Sequence, residues 1–109
     1  MDADEFIVGW TQDGFQFFFE QDDETGYLYV GNDQEITHHL HIYNRSTAFS
    51  VAEDDVRVVL NEDGSRCGVF IFGKLRGVLG FNGDSYRPAD TMLGEGVTDP
   101  KWTTGFNLR

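Results

Sequence analysis

The chain has 109 residues and a formal net charge of −11, from 19 acidic and 8 basic residues. This length predicts one domain spanning residues 1–109. Apolar residues make up 39% and aromatic residues 15% of the chain, which excludes the class of disordered acidic chains because those are poor in aromatic residues. The acidic excess argues against binding to DNA, RNA or an anionic membrane, whose phosphates need Lys and Arg partners.

Three further features of the sequence indicate the cellular compartment in which the protein is expected. The first six residues, MDADEF, contain three acidic residues and no basic one, so they lack the basic start of a signal peptide. No apolar run approaches the roughly 20 residues of a membrane helix. The only cysteine, Cys67, cannot form an internal disulfide, which suits a reducing compartment. We therefore predict a cytoplasmic protein, with Cys67 as a small core residue and not a reactive nucleophile.

The first half of the chain alternates with period two. Aromatic and β-branched residues are bounded by Gly, Asn and Asp, a pattern that is typical of strands. The predicted strands and connections, in chain order, are strand 6–10, turn 12–14, strand 15–20, acidic loop 21–26, strand 27–30, turn 31–34 and strand 36–43.

The second half predicts strand 56–60 and a hairpin over residues 68–81. A two-residue turn at Gly73 and Lys74 would place Phe70 opposite Gly77, with Phe70 and Leu79 on one face. The remaining segments are at most one helical turn in 46–55, an irregular stretch over 84–100, and a return to the sheet over 101–106 with Trp102 as an anchor.

The predicted fold class is all-β, or a β-rich α+β fold with at most one short helix. Short strands at regular spacing with turns between them indicate an antiparallel sheet curled into a small barrel or sandwich. Alternation is the same in both architectures, so the sequence leaves the choice open.

Three histidines lie within the stretch THHLHIYN, residues 37–44. Successive side chains of a strand point to opposite faces, so His39, His41 and Tyr43 are predicted to share one face. Leu40 and Ile42 belong to the core side. The interpretation that follows is an exposed face of imidazole and phenol groups that serves as a contact surface.

A zinc site is the alternative interpretation of this strand. His39 and His41 at i and i+2 could bind one ion, with further ligands from acidic residues near Asp22 or Asp54. The chain has no HExxH, no CxxC and no calcium pattern of the form DxDxDG. We therefore predict neither a metal nor another cofactor.

The carboxylates cluster in turns, at residues 22–24, 53–55 and 62–63. An acidic loop beside an aromatic strand would form a docking patch for a basic protein, because complementary charge favours association and aromatic residues are enriched at interface centres. The candidate partner-binding residues are Asp22, Asp23, Glu24, Tyr27, Tyr29, His39, His41 and Tyr43.

Several segments together resemble a known family. They are FFFE at 17–20, GYLY at 26–29, LHIYN at 40–44, and the run from Val56 to Phe81 with its Glu-Asp-Gly turn at 62–64. This pattern resembles an uncharacterised bacterial domain-of-unknown-function family of small acidic β proteins, over about residues 17–81. The resemblance implies a bacterial β protein, and it carries no activity or catalytic residues.

The function expected from these features is that of a small acidic binding protein, not an enzyme, which engages a basic protein in the manner of an immunity protein or inhibitor. The alternative is a small-molecule or metal-binding β-barrel with enzymatic activity, whose pocket would use Arg87, His39 and His41 as polar groups. A third hypothesis is self-association through an edge strand. The oligomeric state stays open.

Overall fold

The computed structural model describes residues 5–46, 49–88 and 94–106. Within these ranges, eight strands form two four-stranded antiparallel sheets, each in sequential order. The first sheet contains β1 (Phe6–Gln12), β2 (Phe15–Gln21), β3 (Thr25–Asn32) and β4 (Ile36–Asn44). The second contains β5 (Val56–Leu60), β6 (Arg66–Ile71), β7 (Lys74–Gly80) and β8 (Ser85–Tyr86). A 3-10 turn at Glu53–Asp55 precedes β5, and a short helix, α1 (Pro100–Thr103), follows the second sheet. The all-β prediction is confirmed.

The main core lies between the two sheets, so the architecture is a sandwich and not a closed barrel. Its buried side chains alternate with outward-facing residues along each strand. Gly77 on β7 provides a notch for the side chain of Ile42, since a Cβ atom at residue 77 would lie 2.6 Å from Cδ1 of Ile42. The largest fully buried side chains of this core are Phe19, Leu28, Val30, Ile42, Val58, Cys67, Val69, Ile71 and Leu79.

The first hairpin forms where the sequence predicts it. Asp13 and Gly14 connect β1 to β2 with φ angles of 53° and 81°. Two consecutive left-handed residues define the tight turn that matches the twist of paired strands, and glycine adopts this conformation without steric cost. The turn from β3 to β4 depends on Asn32, whose side-chain oxygen accepts hydrogen bonds from the backbone N–H groups of Gln34 and Glu35 at 2.8 and 2.9 Å.

The second hairpin turns one residue earlier than predicted, so the pairing next to the turn is displaced by two residues. Its turn lies at Phe72 and Gly73, with φ angles of 55° and 81°, so Phe70 pairs with Leu75. An irregularity after this pair then places Gly77 opposite Val69. As a consequence the inner and outer faces of β7 are exchanged relative to the prediction beyond this point.

Residues 101–106 do not return to the sheet as a strand. Asp99 accepts a hydrogen bond from the backbone N–H of Lys101 at 2.9 Å, and Pro100 occupies the first helical turn, where its missing N–H costs nothing. These two features start a helix instead. The predicted anchoring role of Trp102 is confirmed, because this side chain is only 8% exposed.

Over the described residues, no helix has the length and apolar character needed to cross a membrane.

Candidate functional site

The two sheets differ in what lies on their outer faces. On the second sheet, Phe70, Leu75 and Val78 form a second apolar cluster with Val97 and Trp102. Residues 94–106 thus cover this face. Two hydrogen bonds fix the covering segment at its start, from Arg76 Nη1 to the Gly94 carbonyl at 2.9 Å and from the Val97 N–H to the Leu75 carbonyl at 2.8 Å.

A cation stacked on aromatic rings completes the covered face. The guanidinium carbon of Arg66 lies 4.3 Å from the centre of the Trp102 ring. The Tyr86 ring stacks on Trp102, with the two ring centres 5.7 Å apart and an interplanar angle of 14°. Nη2 of Arg66 also pairs with Oδ2 of Asp84 at 2.7 Å. The arrangement therefore combines a cation–π contact with an ion pair.

The outer face of the first sheet has no comparable cover among the described residues. We name it the open face. The antiparallel register arranges its residues in three rows across the strands, in the order β1 to β4. The rows are Ile7, Glu20, Tyr27 and His41; Gly9, Phe18, Tyr29 and His39; and Thr11, Gln16, Gly31 and Ile36.

The rings of the open face form one continuous ladder. Phe18 stacks on Tyr29 with ring centres 5.0 Å apart at 24°, and Tyr29 stacks on Tyr27 at 5.9 Å and 27°. The His41 and His39 rings lie 5.1 and 5.7 Å from Tyr27. All five side chains remain partly or largely exposed. The structure thus brings together four of the predicted residues, namely the two tyrosines and two histidines.

Tyr43 is the exception, because the prediction that it shares the face of the histidines is wrong. The pairing of β3 with β4 is irregular next to Gly26, and Ile42 is an extra residue on β4. A bulge of this kind turns the following side chain to the other face. Tyr43 is therefore only 4% exposed, packs on Phe19 in the core and donates a hydrogen bond from its hydroxyl to Gln21. Burial raises the pKa of the Tyr43 phenol.

The acidic triplet at residues 22–24 has two distinct roles. Oδ1 of Asp22 accepts hydrogen bonds from the backbone N–H groups of Glu24 and Thr25 at 2.8 and 2.7 Å, which lower the pKa of Asp22. The backbone carbonyl of Asp22 also accepts a hydrogen bond from Arg45 at 3.1 Å. Asp22 therefore shapes the turn, whereas Asp23 and Glu24 are exposed to solvent.

The charge of the protein is concentrated on the half of the chain that forms the first sheet. Residues 1–44 contain ten acidic residues and no Lys or Arg, which gives a net charge of −10 with neutral histidines. Residues 45–109 contain nine acidic and eight basic residues, a net charge of −1. Such segregation produces a negative potential that attracts cationic groups.

Phe18 and Glu20 are the ring and the carboxylate of the open face that were absent from the predicted set. Phe18 and Glu20 alternate with the buried Phe17 and Phe19 on β2, so the period-two pattern contained the signal, although the run of three Phe obscured it. Glu20 lies directly opposite Tyr27. Within the described residues its carboxylate has no hydrogen-bond or ion-pair partner. Burial, and then the negative charge of Glu20, raise the pKa of Tyr29 on the same face.

The residues required by the metal and small-molecule alternatives are not assembled. In the described ranges, no three His, Cys, Asp or Glu residues lie close enough to hold a metal ion. His41 Nε2 instead lies 2.9 Å from the side-chain oxygen of Asn44. Arg87 follows the last strand of the second sheet, whereas His39 and His41 lie on the open face of the first.

A shallow groove of about 550 Å³ lies at the edge of the sandwich. Two of its four charged groups, Arg66 and Asp84, pair with each other at 2.7 Å. The guanidinium also donates to the Lys101 carbonyl at 3.0 Å. These contacts serve to hold the covering segment and do not define a ligand site.

Fold and surface together define a class of protein: a two-sheet antiparallel β sandwich with one outer face covered by its own chain and the other carrying an exposed ladder of rings. The sequence pattern of DUF2251, described as an uncharacterised protein conserved in bacteria, matches residues 4–91, so the chain belongs to this family. The resemblance to a bacterial domain-of-unknown-function family is confirmed. No curated protein and no solved structure matches the chain.

Proposed function

We propose that this protein is a small acidic binding protein of the cytoplasm that engages a basic protein through its open face. One observation carries the proposal. The exposed ring ladder lies on the part of the chain that has a net charge of −10 and no Lys or Arg. An apolar surface and a strong negative potential thus coincide.

The two components of this surface have different roles in binding. Exposed aromatic rings provide contact area at low entropic cost and can stack with cationic side chains, so they supply affinity. The excess of carboxylates accelerates encounter with a positively charged partner and rejects acidic ones. A protein of this kind would act by occupying the basic surface of its partner, as an immunity protein or inhibitor does.

The same charge distribution disfavours pairing of two copies through the open face. Residues 5–44, which contain the first sheet and its turns, carry eight acidic residues and no Lys or Arg, so two copies of this sheet repel one another. Like charges across an interface cost free energy, so a heterologous basic partner fits this surface better than a second copy of the chain.

The test is affinity capture from lysate of the source organism with three baits: the wild type, Glu20→Lys and Glu62→Lys. Both substitutions change the net charge equally, but Glu20 lies on the open face and Glu62 in an exposed loop of the second sheet. Each bait is washed at about 50 mM and at about 500 mM salt, since salt screens charge attraction. Retained proteins are identified by mass spectrometry, and the purified partner is then titrated against each variant.

We expect the wild type and Glu62→Lys to retain one basic protein at low salt and to lose it at high salt. The same protein should bind Glu20→Lys at least about ten-fold more weakly, because charge reversal at a close contact costs more than 1.4 kcal/mol. Equal binding to all three baits would exclude the open face as the site. Retention of no basic protein at low salt would refute the proposed function.

A further inference from the structure

The ring ladder of the open face ends at Phe18. Tyr29 stacks on one side of this ring at 5.0 Å. The neighbour of Phe18 on the other side is Gly9 of β1, which has no side chain. A Cβ atom at residue 9 would collide with Cβ of Phe18, so glycine allows this close approach, and a depression of about 390 Å³ lies beside the pair. It is lined by Ile7, Gly9, Trp10, Thr11, Gln16 and Phe18.

A carboxylate lies beside this depression. Glu20 is two residues from Phe18 on the same face of β2, roughly 7 Å along the strand, and directly opposite Ile7. No described residue pairs with it through a hydrogen bond or an ion pair. An apolar floor, the end of an aromatic stack and a carboxylate are therefore adjacent.

The covered face of the same protein shows how these groups are used together. There the guanidinium carbon of Arg66 lies 4.3 Å from the centre of the Trp102 ring, which stacks on Tyr86. The same guanidinium pairs with Asp84. The open face presents the equivalent stack and carboxylate. Residues 1–44 contain no Lys or Arg that could supply the cation.

We infer that the depression over Gly9 binds one arginine side chain of the basic partner. The guanidinium stacks on the Phe18 ring and donates hydrogen bonds to the Glu20 carboxylate, while its aliphatic stem lies along Gly9 and Ile7. Arginine fits better than lysine because its planar guanidinium can stack and bind a carboxylate at the same time. This inference rests on the proposed function and adds the identity of the anchoring side chain.

The test titrates ¹⁵N-labelled protein with hexa-arginine amide and with hexa-lysine amide, two probes of equal charge. We expect hexa-arginine to bind about five-fold more tightly, in line with one cation–π contact in addition to charge attraction. The largest chemical-shift changes should occur at the amides of Gly9, Thr11 and Phe18, which line the depression.

Two variants separate the ring from the carboxylate. Phe18→Leu keeps an apolar side chain but removes the aromatic face, so the preference for arginine should disappear. Glu20→Gln keeps the shape but removes the charge, and it should weaken hexa-arginine binding by about three- to ten-fold. Glu62→Gln is the matched charge control and should change the affinity by less than about two-fold.

The outcomes distinguish this inference from the proposed function. Equal affinity for the two peptides, or shifts confined to the second sheet, would overturn the arginine site and leave the proposed function to its own test. A weakening of hexa-arginine binding in Glu62→Gln that equals or exceeds the weakening in Glu20→Gln would also overturn it. Failure of both peptides to bind at low salt would count against the site and the proposed function together.

Discussion

The two outer faces of the sandwich carry similar aromatic stacks and use them differently. On the second sheet, the chain supplies the cation, Arg66, and a covering segment that buries Trp102. On the first sheet, Phe18, Tyr29 and Tyr27 stack in the same manner but remain partly exposed. A contiguous exposed ring surface is a mark of an interaction site. The comparison indicates that the second outer face stabilises the fold, whereas the first can be used for binding.

The largest expected effect is the difference in the free energy of unfolding between alanine variants of the two tryptophans. Trp102→Ala removes a buried ring that packs against Arg66 and Tyr86, and we expect it to lower the free energy of unfolding by about 3–5 kcal/mol. Trp10 is 65% exposed and donates one hydrogen bond, to the Val58 carbonyl at 3.2 Å. Trp10→Ala should therefore cost only about 1 kcal/mol. Urea denaturation of both variants measures the difference, and equal losses would refute the assignment of roles.

Removing one tyrosine hydroxyl from each side of the first sheet compares how much the inner and the outer side contribute to stability. Tyr43→Phe removes a buried donor to Gln21 and should lower the free energy of unfolding by about 1–2 kcal/mol. Tyr27→Phe, on the open face, is the matched control and should change it by less than about 0.5 kcal/mol. If thermal and urea denaturation gave Tyr27→Phe the larger effect, Tyr43 could not be the inward-facing residue.

The titration and reactivity of Cys67 test whether solvent can enter the core between the two sheets. Burial raises the pKa of its thiol from 9.0 to about 12, so the folded state holds this proton more tightly than the unfolded state. The stability that results is fully present below pH 9 and is lost as the pH rises from 9 towards 12. Between pH 8 and 10 the wild type should lose about 1.4 kcal/mol more than Cys67→Ala.

Urea midpoints of the two proteins at both pH values measure this difference. The thiol of the native wild type should also resist a thiol reagent at pH 8 and react in urea, because the reactive species is the thiolate. Parallel pH profiles, or rapid labelling of the native protein, would show that the core admits solvent at this position.

The turn beside the open face gives the smallest expected effect. Asp22→Ala removes the acceptor for two backbone N–H groups and should cost about 1 kcal/mol, as loss of a helix cap does. Asp22→Asn keeps an acceptor and should cost less than about 0.5 kcal/mol. Because the pKa of Asp22 is lowered, its contribution is present above pH 3.8 and is lost as the pH falls through the folded pKa. Denaturation of both variants at pH 7 checks the turn.

Alternation alone predicted most of the strands, because period two is a local property of the chain. It also predicted the joint position of Tyr27, Tyr29, His39 and His41. It failed at Tyr43, since a bulge is decided by the cross-strand partner and by the fit of Ile42 into the notch at residue 77.

The covered face was beyond sequence reasoning for a different reason. Residues 94–106 have no strong local period, and their position depends on contacts with β7 that are distant in sequence. The hairpin register likewise depended on whether residues 72–73 or 73–74 formed the turn, and both pairs contain Gly73. Moving the turn by one residue changes the cross-strand partners by two and keeps the faces, whereas the irregularity between Val69 and Phe70 shifts the pairing by one residue and exchanges the faces of β7.

The most direct test of the binding role of the open face is hydroxyl-radical footprinting of the intact protein with and without hexa-arginine amide, with the modified residues located by mass spectrometry. The account predicts that Phe18, Tyr27 and Tyr29 are oxidised in the protein alone and are protected when the peptide is present. Phe72, exposed at the turn of the second sheet, should react equally in both conditions. Protection confined to the second sheet, or unchanged oxidation of the open face in the presence of bound peptide, would contradict it.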